Sequence, residues 1–390
     1  MTLAIDVFLR DHEAELIAVR RRLHAKPELG RAEFETTSFL ADRLAGAGLS
    51  PAVLAGGAGL LCDIGSEGPL VALRADLDAL PVADDKLVAY RSTVPDVSHA
   101  CGHDVHTSIV LGAGLALQAQ ASSLPGRVRL IFQPAEELTP GGALQVIDEG
   151  GLDDVRAIFA LHCDPRLDTG RVGTRAGPIT AASDHVAISL TGPGGHTARP
   201  HLSADLVYAA ARVVTDLPAG LSRLVDPRAG MTLVFGTVHG GTAPNAIPEL
   251  VTLEGTLRVL DKSAWHGAPE LLEQLLAATL GPLKAQWTLT YERGVPPVVN
   301  DAAATALLAR AGATALGADA MVPTDQSLGG EDFAWYLDHA PGSLARLGTR
   351  CEGLDVDLHS GRFDVDERAI GLGVRLLVQT AIDALHAVAG

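Results

Sequence analysis

Residues 70–78, Leu-Val-Ala-Leu-Arg-Ala-Asp-Leu-Asp, form a short apolar run that ends in two carboxylates. Other β-type runs follow the same pattern and alternate with helical stretches along the first half of the chain. The predicted strands are 60–64, 128–132 and 157–161, and the predicted helices are 3–23, 33–47, 105–121 and 141–149. Such alternation is typical of a mainly parallel sheet covered by helices. The sequence therefore predicts an α/β fold.

Polar side chains stand where three of these runs end. Asp76 and Asp78 close one run, Glu136 and Glu137 follow another, and His162 follows a third. Open α/β sheets bind ligands beyond the carboxyl ends of their strands. We therefore expect the three segments to converge on one crevice.

The segment Cys101-Gly102-His103 carries the strongest metal-binding pattern. A thiol and an imidazole at alternate positions point to one side if the segment is locally extended, and both bind divalent ions. Single Cys and His residues are more often packed or hydrogen-bonded than ligating, but here carboxylates and His162 end nearby strands. His106 is a weaker candidate, because it leads directly into the helix, where packing or capping accounts for it.

The adjacent carboxylates Glu136 and Glu137 are candidates for two different tasks. Metal-assisted hydrolysis needs metal ligands and also a carboxylate that takes a proton from water. Neighbouring side chains cannot easily share one task, so one division is a ligand and a base. The alternative is a solvated acidic pair after a strand. His359 lies far downstream and is unremarkable on spacing alone.

The pattern changes between residues 181 and 295, where strands and helices follow the order βαββαβ. That order is the one found in ferredoxin-like units. Its insertion divides a first domain into residues 1–180 and 296–390. Within the insertion, His196, Asn245 and Arg258 lie in loops or strands that the sequence leaves ambiguous.

Composition limits the classes of function. The 390 residues are 47% hydrophobic and 20% charged, which describes a folded globular chain. A formal net charge of −17 argues against unassisted binding to nucleic acid or to anionic membranes. The N-terminal residues show no signal peptide pattern, and the four cysteines are scattered, so we expect a cytoplasmic protein with reduced thiols.

Several other catalytic patterns are missing from the sequence. It contains no Gly-x-Ser-x-Gly, His-Glu-x-x-His or Cys-x-x-Cys motif, and its glycine-rich pieces match neither a dinucleotide fingerprint nor a phosphate loop. Serine hydrolases, thermolysin-type proteases and zinc fingers are therefore disfavoured.

The chain resembles peptidase family M20, and within it the amidohydrolase branch of hippurate hydrolases, N-acyl-amino-acid deacylases (aminoacylases) and plant auxin-conjugate hydrolases. The matching segments run nearly end to end: 23–29, 73–81, 99–106, 132–137, 161–162, 194–196, 243–248, 255–258, 329–333 and 358–360. The resemblance implies a zinc-peptidase-like catalytic domain with an inserted ferredoxin-like domain that acts as a lid and mediates homodimer formation.

The resemblance also implies roles for individual residues. Two divalent metal ions, drawn from Zn, Mn, Ni and Co, would be held by Cys101, His103, Glu137, His162 and His359, with Cys101 as the bridge. Glu136 would be the general base toward a metal-activated water, and His196 would donate to the oxyanion, in many relatives from the partner subunit. The substrate would contact Asn245, Arg258 and Gly330. The expected reaction is hydrolysis of N-acyl-L-amino acids or related conjugates.

Two departures from the family pattern bear on this expectation. Arg74 stands where most of the wider family has a ligand His, so Asp76 is expected to orient the site instead of binding metal. The loop 82–87 lacks the paired glutamates of many relatives, so their loop contacts and substrate preference do not carry over to it. A dipeptidase of the same family is the alternative function, and a non-catalytic binding protein of the same fold is a third.

Overall fold

The computed structural model describes residues 2–389, with side chains from residue 5 onward. Contacts divide the chain into two structural units. The first contains residues 2–177, Val299–Asp325 and residues 332–389, and the second contains Pro178–Val298 and Gln326–Glu331.

The segment Gln326–Glu331 departs from the predicted domain boundaries. The sequence assigns it to the catalytic domain, whereas its contacts group it with the second unit. Ser327 forms a β-bridge with Thr180, and Arg258 donates a hydrogen bond to the carbonyl of Leu328. These backbone contacts join the segment to the second unit.

The secondary structure comprises eight α-helices, six short 3₁₀ helices and sixteen strands in the described residues. The helices are α1 (Thr2–Ala25), α2 (Phe34–Gly46), α3 (His103–Gln118), α4 (Ala143–Asp148), α5 (Leu206–Leu224), α6 (Lys262–Leu280), α7 (Ala302–Leu316) and α8 (Arg368–Ala389). The strands are β1 (Ala52–Val53), β2 (Leu60–Ile64), β3 (Leu70–Asp76), β4 (Arg127–Gln133), β5 (Val155–Asp168), β6 (Val172–Thr174), β7 (Gly177–Pro178), β8 (Ala182–Thr191), β9 (Gly195–His196), β10 (Thr232–Gly240), β11 (Ala246–Ile247), β12 (Leu250–Val259), β13 (Gln286–Val295), β14 (Val299–Asn300), β15 (Met321–Pro323) and β16 (Gly342–Arg350).

The first unit is built on an eight-stranded sheet in the order β1-β2-β4-β3-β5-β16-β6-β15. Its central neighbours β4, β3, β5 and β16 are parallel, and antiparallel pairs lie toward the edges. All seven residues of β3 are buried, as expected for a central parallel strand covered on both faces. The predicted mainly parallel α/β fold is confirmed.

Helices α1, α3, α7 and α8 supply much of the core against this sheet. Helix α8 is long and apolar enough to cross a membrane by length and composition alone, and 56% of its most apolar window is buried inside the fold. It packs against α3 and α7. Its composition is therefore that of a core helix.

The second unit contains an antiparallel sheet in the order β10-β12-β8-β13, with α5 and α6 packed on it. Strand β8 alternates between buried and partly exposed residues, which is the pattern of a sheet covered on one face. Helix α5 turns a stripe of apolar residues toward the sheet, spaced as one face of a helix. The order and connectivity are those of the predicted ferredoxin-like unit.

Candidate metal centre

The Cys101-Gly102-His103 segment is a tight turn into a helix. Gly102 has φ of +89°, and α3 begins at His103, so this segment is not an extended one in which alternate side chains share a side. A Cβ at Gly102 would lie 2.8 Å from the Sγ atom of Cys163. Only glycine meets both the left-handed backbone and the close approach. The turn, rather than strand alternation, directs the thiol and the imidazole toward one region.

Gly102→Ala is expected to destabilise the fold by about 1–3 kcal/mol, because it adds backbone strain to a steric clash. Metal affinity should fall with it, because Cys101 and His103 flank the turn. Gly48→Ala is the matched control: Gly48 has φ of +79° with nothing within 4 Å of the position that a Cβ would take, so it reports strain alone. Urea unfolding and metal titration check the pair. Equal losses in both variants would contradict the role of the clash.

His103 is held by Asp78. Its Nδ1 atom lies 3.1 Å from Asp78 Oδ1, and Asp78 Oδ2 accepts a hydrogen bond of 2.9 Å from the backbone N–H of Glu137. A carboxylate on Nδ1 fixes the ring and leaves Nε2 to face a ligand. Asp78 therefore orients this imidazole and links it to the Glu136–Glu137 loop.

Asp76 instead holds His106. The Asp76 Oδ1 atom lies 2.6 Å from His106 Nδ1, and His106 Nε2 accepts a hydrogen bond of 2.8 Å from the backbone N–H of Cys163. Asp76 also accepts from Arg74 at 2.6 Å. Both ring nitrogens of His106 are thus engaged, which makes it a structural residue between α3 and β5.

His162 has the tautomer that a metal ligand needs. The sequence suggested that His162 follows the end of a strand. Strand β5 instead continues to Asp168, so His162 lies within it. Its Nδ1 donates to the carbonyl of Cys163 at 2.8 Å, and its Nε2 lies 3.6 Å from the Sγ of Cys101. Burial, followed by the charge of Arg346, holds the pKa of His162 well below its ordinary value. The imidazole is therefore neutral, with Nε2 as an acceptor.

Glu137 and His359 form a second group with Cys101. Glu137 Oε1 lies 3.3 Å from His359 Nε2. The donor atoms of Cys101, Glu137 and His359 all lie within 4.8 Å of one another, and so do those of Cys101, His103 and His162. The five predicted ligands thus form two groups that share Cys101. Their role as ligands stays a prediction.

The polar atoms of the site fit divalent cations. Within the described part of the chain, His103 Nε2 and Glu137 Oε1 are buried and have no hydrogen-bond partner of acceptable geometry. His103 Nε2 lies 3.9 Å from both Glu136 Oε2 and Glu137 Oε1. These distances are too long for hydrogen bonds. They are closer to the separation of two ligand atoms on one tetrahedral zinc ion, roughly 3.4 Å when each ligand is about 2.1 Å from the metal.

The thiol chemistry supports the same fit. Burial, and next the charge of Glu137, hold the pKa of Cys101 well above its ordinary value. A buried thiolate beside a carboxylate is unfavourable unless a positive charge offsets both. Divalent ions supply that charge, so the donor set is suited to them.

The Glu136–Glu137 loop leaves β4 through an unusual backbone. Ala135 has φ of +55°, and its N–H donates to Glu33 Oε1 at 2.7 Å. His359 also has a positive φ, +61°. Non-glycine residues in this region cost free energy and cluster at functional sites. The role of Glu33 was not predicted, because its partner lies 102 residues away.

Glu33 makes stability depend on pH. Burial raises its pKa from 4.5 to about 7. Between these values the folded protein keeps a proton that the unfolded chain releases, so the free energy of unfolding falls as pH rises through this window and levels off above it. Glu33→Gln imitates the protonated acid. We expect it to exceed the wild type by up to about 3 kcal/mol at pH 8 and to match it near pH 4.5.

Urea unfolding of Glu33→Gln and wild type at several pH values measures this difference directly. Effects of other titrating groups cancel in the comparison. A difference that stayed constant across the window would show that Glu33 does not titrate there.

The remaining predicted residues lie in the second unit. His196 in β9 pairs with Ala246 in β11, and the carbonyl of Asn245 accepts from the N–H of Thr197 at 3.2 Å. His196 Nδ1 accepts from the N–H of Ala198 at 3.0 Å, which places the ring proton on Nε2. Arg258 in β12 donates a hydrogen bond to the carbonyl of Leu328, and Gly330 lies in the same segment, Gln326–Glu331, of the second unit. Their roles toward substrate stay predictions.

Comparison with known proteins gives consistent matches over nearly the whole chain. Residues 72–383 match the model of peptidase family M20/M25/M40. The N-acetyl-L-cysteine deacetylase of Bacillus subtilis (strain 168) is 40% identical over 364 residues, covering 92% of this chain and 85% of the relative. The structure of the Bacillus subtilis YXEP protein, described as a dinuclear metal-binding M20 peptidase, superposes with a TM-score of 0.85 at 31% identity, covering 97% of this chain and 99% of that one.

A further relative is longer than this chain. A Rhodococcus jostii (strain RHA1) protein described as glutamate–cysteine ligase 2-3 is 49% identical over 368 residues, which cover 94% of this chain and 46% of that protein. The chain spans about half the length of that relative, whose description concerns the whole of it. The matched family and the site geometry agree: this chain belongs to peptidase family M20/M25/M40 and is a metal-dependent amidohydrolase of its amidohydrolase branch.

Proposed function

We propose that the chain hydrolyses the amide bond of N-acyl-L-amino acids, with Glu136 as general base. The observation that supports this proposal is that the two neighbouring glutamates have different contacts. Both carboxylates lie 3.9 Å from His103 Nε2, but only Glu137 also lies 3.3 Å from His359 Nε2 and within the group that contains Cys101. This difference supports Glu137 as the ligand and Glu136 as the base.

The chain's residues then divide the chemistry. Two divalent ions held by the five predicted ligands would lower the pKa of a water molecule and polarise the amide carbonyl. Glu136 accepts the proton of the attacking water and returns it to the leaving amine nitrogen. His196, with its proton on Nε2, is proposed to donate to the developing oxyanion. Arg258 and Asn245 are proposed to hold the substrate carboxylate, where a guanidinium forms two parallel hydrogen bonds.

The substrate class draws on the relatives. One of them is described as an N-acetyl-L-cysteine deacetylase. We therefore propose small N-acyl amino acids, with N-acetyl-L-cysteine as the first compound to test. A panel should compare it with N-acetyl-L-alanine, hippurate and free-amine dipeptides, using enzyme reconstituted with Zn, Mn, Ni or Co. Faster turnover of free-amine dipeptides than of every acyl amino acid would favour the dipeptidase alternative.

We also propose that the second unit forms a homodimer through β10. This strand is at the edge of its sheet, paired with β12 on one side, and it exposes Val234 at 63% and Val238 at 50%. An exposed apolar edge strand is a template for pairing with a second copy, and self-pairing across a two-fold axis closes the assembly. The double variant Val234→Lys, Val238→Lys should be a monomer by light scattering. An unchanged dimer would place the interface elsewhere.

A further inference from the structure

We propose that Arg20 is a positioning residue. It fixes residues 359–364, the His359 segment, against the Cys101–His103 turn, and so sets the affinity for the ion held by Cys101, Glu137 and His359. The inference rests on the proposed two-ion site. Arg20 lies on α1, outside every segment that carries a predicted ligand.

The guanidinium of Arg20 joins two ligand-bearing segments. Its side chain is fully buried. Its Nε donates to Asp104 Oδ2 at 2.8 Å, its Nη2 donates to Asp364 Oδ1 at 2.9 Å, and its Nη1 reaches Glu367 Oε1 at 3.3 Å. Asp104 directly follows His103, and Asp364 lies five residues after His359. One planar group therefore binds both segments at once.

The surroundings hold this arrangement in one geometry. Tyr90 donates its hydroxyl to the second oxygen of Asp364 at 2.8 Å, and its ring centroid lies 4.8 Å from the Arg20 guanidinium carbon. His24 Nδ1 lies 2.8 Å from the Asp104 oxygen that Arg20 also contacts. Buried charge clusters of this kind are stable only when each carboxylate keeps its partner. Without the guanidinium, Asp104 and Asp364 would be left as like charges on facing segments.

Loss of Arg20 should affect the two ions unequally. His103 is fixed by Asp78, and His162 by the carbonyl of Cys163, so both have anchors independent of Arg20. The His359 segment is held by Arg20, by the Tyr90 hydroxyl on Asp364, and by backbone hydrogen bonds that include His359 N–H to the carbonyl of Ala100 and Asp85 N–H to that of Gly361, both at 2.8 Å. Of these contacts, Arg20 is the one that ties the segment to Asp104, next to His103. The predicted defect therefore falls on the ion that needs His359.

The neighbouring residue Arg21 offers a matched control. It also contacts Glu367, at 2.9 Å through Nε, but its side chain is 49% exposed and its hydrogen bonds go to Glu367 rather than to Asp104 or Asp364. Arg20→Gln and Arg21→Gln thus remove the same charge from adjacent positions. Only the first removes the link between segments.

The test titrates Co²⁺ into the metal-depleted full-length protein and its variants, with elemental analysis of the ions bound per chain. Wild type and Arg21→Gln should bind two ions. Arg20→Gln should bind the first with unchanged affinity and keep its thiolate-to-cobalt absorption, while the second weakens at least tenfold. A general loss of structure would weaken both steps, and circular dichroism would report it.

Asp364→Asn decides the question if Arg20→Gln does not fold. It leaves the Arg20–Asp104 pair intact and should weaken only the second ion. Two ions bound with wild-type affinities in a folded Arg20→Gln, or in Asp364→Asn, would overturn the positioning role. A wild-type protein that bound fewer than two ions would instead contradict the proposed function.

Discussion

Glu136→Gln is expected to lower kcat by about 10²–10⁴-fold, the contribution of a positioned general base, with bound metal unchanged. Glutamine keeps the length and shape of the side chain but cannot accept the proton of water. Because Glu137 rather than Glu136 belongs to the Cys101 and His359 group, removal of the Glu136 charge should leave that group intact. Steady-state kinetics on N-acetyl-L-cysteine and elemental analysis of the same sample separate the two effects.

Glu137→Gln is the matched control, since it makes the same chemical change one residue away. Its buried Oε1 has no hydrogen bond of acceptable geometry in the described chain, so the loss of its charge should appear as weaker metal binding. Addition of excess metal should restore part of the Glu137→Gln activity and none of the Glu136→Gln activity. Wild-type kcat in Glu136→Gln, or the same metal loss in both variants, would contradict the assignment of the base.

Much of the fold follows from short-range patterns in the chain. The apolar run that becomes β3 is buried along its whole length, and the insertion has the strand order expected for its βαββαβ pattern. These features could be predicted because hydrophobic periodicity and alternation are properties of neighbouring residues. The place of Gln326–Glu331 could not, because the segment joins the second unit through contacts with Thr180 and Arg258, which are distant in sequence.

The candidate metal-binding residues can be predicted from the sequence more readily than the residues that position them. Cys101, His103 and Glu137 stand out by residue type and by family resemblance. The sequence does not show whether Asp76 or Asp78 contacts His103, because the two carboxylates are two residues apart at the end of one strand. Only the direction of each side chain separates them. Arg20 is less visible still, because its partners lie 84 and 344 residues away.

Gly102 occupies an intermediate case. A glycine between two ligands can be noticed in the sequence, but its reason is tertiary. The Sγ of Cys163 occupies the space that a Cβ would need. Alternate positions share a direction only in an extended backbone, whereas here the turn at Gly102, packed against Cys163 of β5, directs both side chains.

Cys101→Ala is expected to lower the affinity for both ions by more than about 100-fold, because a directly bound ligand contributes more than the supporting hydrogen bonds, whose loss costs about 10–100-fold. Cys101 is the residue that the two donor groups share, so its removal should affect both at once. Cys62→Ala is the control: Cys62 is an equally buried thiol in β2, outside both groups, and metal content should be unchanged. Elemental analysis after dialysis measures the metal content of the wild type, Cys101→Ala and Cys62→Ala.

Cys101→Asp carries the same argument to metal selection. A carboxylate can bridge two ions as a thiolate does, so this variant should recover binding that alanine loses. Soft thiolate favours Zn, whereas a carboxylate suits harder ions such as Mn. We therefore expect the ratio of Mn to Zn affinity to rise in Cys101→Asp relative to wild type, measured by competitive titration. Recovery of binding with an unchanged ratio would mean that the sulfur holds the geometry of the site without setting its metal preference, and wild-type metal content in Cys101→Ala would mean that the thiol is no ligand.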